Sequence, residues 1–182
     1  LVRWKSPVKG LISPGDFIPV FESNGFIIKL DEYVWEQVCK LQRKWLDEGK
    51  DIFPISVNVS RADLLQGSVA EKLMNLIQKY NLTPDMIRVE ITESAYMDNP
   101  QQLISEINKL EECGLMVEMD DFGSGFSSLN VLKDYNFDEL KIDMVFLSHF
   151  NNRSKEIVKS TVGMAKNIGI QSLAEGVETE EQ

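Results

Sequence analysis

The chain has 182 residues, 43% hydrophobic and 26% charged, which excludes a disordered or fibrous polymer and leaves material for a sizeable core. Lysine and arginine number 19 against 29 aspartates and glutamates, a net charge of −10. Polymeric nucleic acid held by bulk basic charge is therefore excluded, whereas a small phosphate ligand held through divalent cations is not.

Leu1 to Trp4 reads as the remnant of a strand. Ser13-Pro14-Gly15-Asp16 places a capping residue before proline, so a helix is expected from there to about Asn24-Gly25. Leu30, Val34, Val38, Leu41 and Trp45 recur at helical spacing and predict a second helix that Gly49 ends. The chain then alternates. Strands are expected at Phe53–Val59, Ile87–Thr92, Leu115–Asp121, Asp138–Asp143 and Ile170–Glu175. Helices are expected at Ala70–Tyr80, Pro100–Cys113, Ser127–Lys133 and Ser154–Ile168. This alternation implies an α/β fold with a parallel sheet and helical crossovers.

Polar residues fall at matching places. Asn58, Glu90, Asp120, Lys141 and Glu175 each lie in the second half or at the end of a predicted strand. They recur at intervals averaging about 29 residues, the size of one βαβ step. Alternation sets Glu90 and Thr92 on the face opposite Val89 and Ile91, Asn58 opposite Val57 and Val59, and Lys141 with Asp143 opposite Leu140 and Ile142. Inward polar groups at the C-terminal ends of parallel strands mark the active end of a (β/α)₈ barrel. An open doubly wound sheet is the alternative, although its middle strands are usually apolar on both faces. Eight such steps need roughly 230 residues, near the ~250 typical of a barrel, so a single domain over 1–182 is expected to lack strands. The opening has neither an initiator Met nor the apolar core of a signal peptide, so the chain is expected to begin inside a larger protein. No run of 18 apolar residues is present. Cys39 and Cys113 offer no metal spacing and no disulfide framework, as in a reducing, cytoplasmic compartment.

Asp120-Asp121 ends an apolar strand and precedes the glycine-rich Phe122-Gly123-Ser124-Gly125-Phe126. Adjacent carboxylates there are costly unless a cation joins them, and each could serve a different ion of a pair; a solvated turn is the plainer reading. Glu90 suits a metal or a structural ion pair, and Glu93 a loop brace or a helix cap. Asn58 offers a neutral oxygen to Mg²⁺ or Mn²⁺, or is a satisfied buried amide. Lys141 and Asp143 suggest a cation for phosphate or water beside a further ligand, or a buried pair. Glu175, before Gly176, is a ligand, a base or a helix-entry acid. His149 lacks a Cys or His partner at ligand spacing and is expected at the surface. No P-loop, nucleophile elbow or His-based triad is present.

Taken together, Leu1-Val2-Arg3-Trp4, Phe17-Ile18-Pro19, Ile55-Ser56-Val57-Asn58-Val59-Ser60, Glu90-Ile91-Thr92-Glu93-Ser94, Asp120-Asp121-Phe122-Gly123, Leu140-Lys141-Ile142-Asp143 and Ala174-Glu175-Gly176-Val177-Glu178-Thr179 resemble the EAL domain family, the phosphodiesterases of the bacterial messenger cyclic di-GMP. The resemblance implies a modified (β/α)₈ TIM-like barrel, incomplete here in its first strand, most of its second and its last. It implies two Mg²⁺ or Mn²⁺ ions held by Asn58, Glu90, Asp120, Asp121 and Asp143. Lys141 would stand near the attacking water and phosphate, with Glu175 as base or second-metal ligand. Glu93 would hold the loop after Asp120-Asp121, Arg3 would contact substrate phosphate, and Glu178 would be a further site acid. Hydrolysis of cyclic di-GMP to linear pGpG follows, with a homodimer, fused sensor or diguanylate cyclase-type domains and membrane anchoring of the parent as further implications.

Leu1 matches the last residue of the signature Glu-Ala-Leu, so the signature glutamate lies outside these residues and the chain alone is expected to turn over poorly. Ser124, Phe126 and Met144 replace the family's usual Thr, Tyr and Arg. Two rivals remain. One is an inactive module that binds cyclic di-GMP or a protein partner; the other is a metal-dependent barrel lyase with a lysine base, similar to enolase-like enzymes.

Overall fold

The computed structural model describes every residue except 1, 93–94, 96–99, 124–128, 130–131, 134, 136 and 149. Glu93, Ser124, Gly125, Phe126 and His149 therefore lie outside the described residues, as does most of the helix expected over 127–133.

The N-terminal segment is a hairpin instead of the remnant of a barrel strand. β1 (Trp4–Ser6) runs antiparallel to β2 (Gly10–Ile12) in a sheet of its own. Ser6 Oγ accepts from the Val8 and Lys9 amides and fixes the turn. Trp4 packs on Phe17 and Phe21, which seats the hairpin on α1 (Pro14–Asn24). That helix ends where Gly25 takes φ 74°, a conformation that costs glycine nothing.

α2 (Ile27–Asp47) is present, but its buried stripe is rotated one residue from the apolar one. Ile27, Asp31, Trp35, Cys39 and Gln42 are buried, while Leu41 is exposed. Two polar residues can sit in this stripe because they find partners. Gln42 Nε2 donates to the carbonyls of Phe53 and Met86, and Asp31 meets Asp63.

Then follow β3 (Ile55–Asn58), α3 (Arg61–Gln66), α4 (Val69–Lys79), β4 (Ile87–Thr92), α5 (Pro100–Glu112), β5 (Met116–Phe122), β6 (Glu139–Ile142), α6 (Asn152–Ile168) and β7 (Gln171–Ala174). The short α3 starts in a reciprocal capping box between Ser60 and Asp63. The five later strands form one sheet in the order β3-β4-β5-β6-β7, all parallel. Each strand pairs with the next in sequence, so there is no point at which the order reverses. Right-handed crossovers, the general rule for parallel strands, lay the connecting helices of such a sheet on one face, which is barrel topology and not the doubly wound alternative.

The core lies on the helical face. Val57, Ile87, Val89, Ile91, Val117, Met119 and Leu140 point there and are buried with α2, α4 and α5 side chains such as Trp35, Leu73, Ile77, Ile107 and Leu110. β4 alternates buried and half-buried from end to end, as its sequence predicts. β7 is an edge strand exposed along its length. Among the described residues no helix is long and apolar enough to cross a membrane.

Candidate active site

The other face of the sheet collects the polar residues. Lys141, near the end of β6, stands at their centre. Its Nζ lies 2.6 Å from Glu90 Oε1, 2.7 Å from Glu175 Oε1 and 3.0 Å from Asp120 Oδ1. Asn58 is in register with Glu90, and its Nδ2 donates to Glu90 Oε2 over 3.0 Å. Four strands therefore deliver Asn58, Glu90, Asp120 and Lys141, and the residue just past β7 delivers Glu175, as expected from the sequence.

Asp121 joins them through a backbone irregularity. Consecutive strand residues normally face opposite ways. Here Met119 pairs with Leu140 and Phe122 with Ile142, so β5 carries one extra residue, a bulge. Asp121 absorbs it at φ 56°. Both carboxylates of the Asp120-Asp121 pair thereby stay at one end of the sheet, half-buried. Asp143 does not extend β6. It caps a 3₁₀ turn, Met144–Phe146, with Oδ1 accepting from the Val145 amide, yet its charge still reaches Asp121.

The electrostatics follow from crowding. Three carboxylates, Glu90, Asp120 and Glu175, share one ammonium, and the charges of Asp120, Asp143 and Glu175 act in turn on Asp121. Burial works against the charged form of Lys141, but hydrogen bonds to Glu175, Glu90 and Asp120 outweigh it and hold the ammonium protonated well above its ordinary range. Burial pushes Glu90 up, against the pull of Lys141. Asp121 is pushed up by burial and then by the charges of Asp120, Asp143 and Glu175.

Such a cluster has room for more positive charge. Asp120 Oδ1 is buried, and the one ammonium beside it, 3.0 Å away, is divided among Asp120, Glu90 and Glu175. The donor set, one amide and several carboxylates, is the hard-oxygen kind that Mg²⁺ and Mn²⁺ take. Among the described residues no three of these side chains stand as a ready-made shell, since the ammonium holds the point on which they converge. The residues fit divalent ions in type and in placement along the strand ends.

Arg3 and Glu178 are not drawn into this network. Arg3 is exposed, with Nη1 donating to its neighbour's carbonyl. Glu178 is exposed, and its amide donates to the Gln182 side chain. Three further charged residues, beyond those expected from the sequence, lie on the site's face: Arg88, Glu118 and Glu139. Arg88 Nη1 lies 3.0 Å from Glu118 Oε1 and 3.3 Å from Glu139 Oε2. The same alternation that oriented Glu90 and Lys141 assigns Arg88 and Glu139 to their face, and Glu118 shares a face with Asp120 two residues on.

The EAL domain family model matches residues 1–182. The chain is 36% identical over 181 residues to the cyclic di-GMP phosphodiesterase PdeR of Escherichia coli, covering 98% of this chain and 27% of that protein. It is 35% identical over 184 residues to MucR of Pseudomonas aeruginosa, described as a bifunctional diguanylate cyclase/cyclic di-GMP phosphodiesterase, covering all of this chain and 27% of MucR. The chain thus spans about a quarter of the length of these relatives. The solved structure of the PaMucR phosphodiesterase in complex with c-di-GMP superposes with a TM-score of 0.91 at 34% identity, covering all of this chain and 74% of that one. The likeness bears out the TIM-like barrel expected from the sequence.

Proposed function

The chain belongs to the EAL domain family, and from that premise we propose that the protein containing it hydrolyses one phosphodiester bond of cyclic di-GMP to give linear pGpG. The observation that carries this reading is the convergence of Glu90, Asp120 and Glu175 on one buried ammonium, with Asp121 and Asp143 crowded beside them. A cyclic dinucleotide brings two phosphates to an acidic site, so cations must mediate the contact. Asn58, Glu90, Asp120, Asp121 and Asp143 would hold two Mg²⁺ or Mn²⁺ ions. When bound, these supply an acidified water and offset charge on the phosphate.

The side chains divide the remaining work. Lys141 stays protonated and sets fixed positive charge where the phosphoryl oxygens gain negative charge. It also orients Glu90, Asp120 and Glu175 at once. Of these three, Glu175 is the most open, its side chain 37% exposed against 12% and 14% for Glu90 and Asp120. It can therefore take the proton from water at phosphorus and pass it to solvent. Arg3 supplies a phosphate contact, Glu178 a further site acid, and Glu93 the brace for the loop after β5. The relatives' greater length supports fused sensor or cyclase-type domains in the whole protein.

The test is to incubate the intact protein with cyclic di-GMP and Mg²⁺ or Mn²⁺ and separate the products. Linear pGpG is expected, with Glu175→Gln lowering kcat about 10²–10⁴-fold. Absence of pGpG counts against the reading, and tight calorimetric binding without turnover assigns the domain to the receptors.

A further inference from the structure

In-register pairing sets three glutamates side by side. Glu90 of β4 pairs with Glu118 of β5, which pairs with Glu139 of β6, on the face that carries the site. Neighbouring strands lie about 4.8 Å apart, so three carboxylates share one row, and like charges directly opposite one another destabilise a sheet. Glu118 is 1% exposed and Glu139 8%, so water screens them poorly.

Two cations divide this row between them. Lys141, one level nearer the strand ends, takes Glu90. Arg88 precedes Glu90 by two residues on the same face of β4, one level deeper, and its Nη1 takes both Glu118 and Glu139. Arg88 Nε is buried without a hydrogen bond, so the guanidinium forgoes one contact in order to reach the two acids.

We infer that Arg88 is a positioning residue: it draws Glu118 and Glu139 away from the strand ends, so that Glu90 alone of the row serves the cation site. This rests on reading that site as a divalent-metal centre. Arg88 touches neither substrate nor the proposed ligands. It acts through the two acids, which without it would place two uncompensated charges beneath Glu90 and compete for Lys141 and for the bound ions. A more negative pocket holds a divalent cation more tightly, but among the wrong oxygens.

The experiment follows Mn²⁺ binding by electron paramagnetic resonance on the intact protein, beside kcat and KM for cyclic di-GMP. Arg88→Met is expected to bind Mn²⁺ about tenfold more tightly while kcat falls at least about tenfold. A purely structural loss would weaken both. Adding Glu118→Gln and Glu139→Gln to Arg88→Met removes the charges that the arginine balances, and is expected to return both quantities to within about threefold of the parent. Unchanged or weaker Mn²⁺ binding by a folded Arg88→Met protein overturns the proposal, as does a triple variant that recovers neither quantity. Where the single variant does not fold, the triple variant decides alone, near-parental Mn²⁺ affinity and kcat supporting the proposal. A parent that binds no Mn²⁺ overturns the metal reading itself, an outcome visible before any variant is made.

Discussion

Trp35 Nε1 donates to the carbonyl oxygen of Asn58 across 2.9 Å, tying the middle of α2 to the tip of β3 where the site begins. The indole is buried, and its ring belongs to the main core. Trp35→Phe keeps most of the apolar contact and removes the donor, so the Asn58 carbonyl loses a half-buried hydrogen bond. A loss of about 0.5–1.5 kcal/mol is expected in urea unfolding, and no measurable change would show that the bond does not hold β3 in place.

Removing Lys141 tests whether its ammonium and divalent ions answer to the same carboxylates. Lys141→Met leaves Glu90, Asp120 and Glu175 facing one another in a half-dry site. Without divalent ions the variant should lose about 3–5 kcal/mol. Added Mn²⁺ should then raise its melting temperature more than it raises that of the parent, because the ions replace the missing charge. Turnover should fall about 10²–10³-fold. Equal Mn²⁺ responses in variant and parent would contradict this account.

Asp31 gives the fold a pH dependence away from the site. Burial, and then the hydrogen bond and charge of Asp63, push its carboxyl up to about 8. An unfolded aspartate titrates near 4. Between these values the folded chain keeps a proton that the unfolded chain has released. Stability contributed at low pH is therefore lost as pH rises from about 4 to about 8, and levels off above. Asp31→Asn supplies a permanent donor toward Asp63. The variant should match the parent near pH 4 and exceed it at pH 8 and above by an amount on the order of a few kcal/mol, read from denaturation midpoints across pH.

Gly123 sits beneath the ring of Phe146, so close that a Cβ would overlap the ring carbons, and its φ of 93° strains any other residue. Gly123→Ala should cost about 2–4 kcal/mol in thermal unfolding. Phe146→Leu in the same chain should recover the steric share and leave the share due to φ. Full recovery would mean that backbone strain contributes nothing.

The sequence made the parallel sheet legible because burial on one face enforces period two. Arg88-Val89-Glu90-Ile91-Thr92 shows this in five residues, and β4 begins and ends where the pattern does. Asn58, Glu90 and Lys141 were legible for the same reason, and Asp120 and Glu175 because they recur at strand ends. The hairpin of Trp4–Ser6 and Gly10–Ile12 was not, because three-residue strands are too short to display a period. α3 was missed although Ser60-Arg61-Ala62-Asp63 spells its capping box, since six residues hold less than two turns of apolar pattern. The rotated stripe of α2 was hidden because Asp31 and Gln42 are buried through partners distant in sequence. Arg3 and Glu178 followed from resemblance alone, and in this structure both are exposed.

The left-handed backbone of Asp121 carries a consequence for how such a domain changes over generations. Only glycine, asparagine and aspartate enter that conformation readily. Every aspartate codon lies a single base from a codon for asparagine and from one for glycine. Mutations that silence the carboxylate at this position are thus also the ones the turn tolerates best, so descendants that keep the turn and lose its charge are one copying error away.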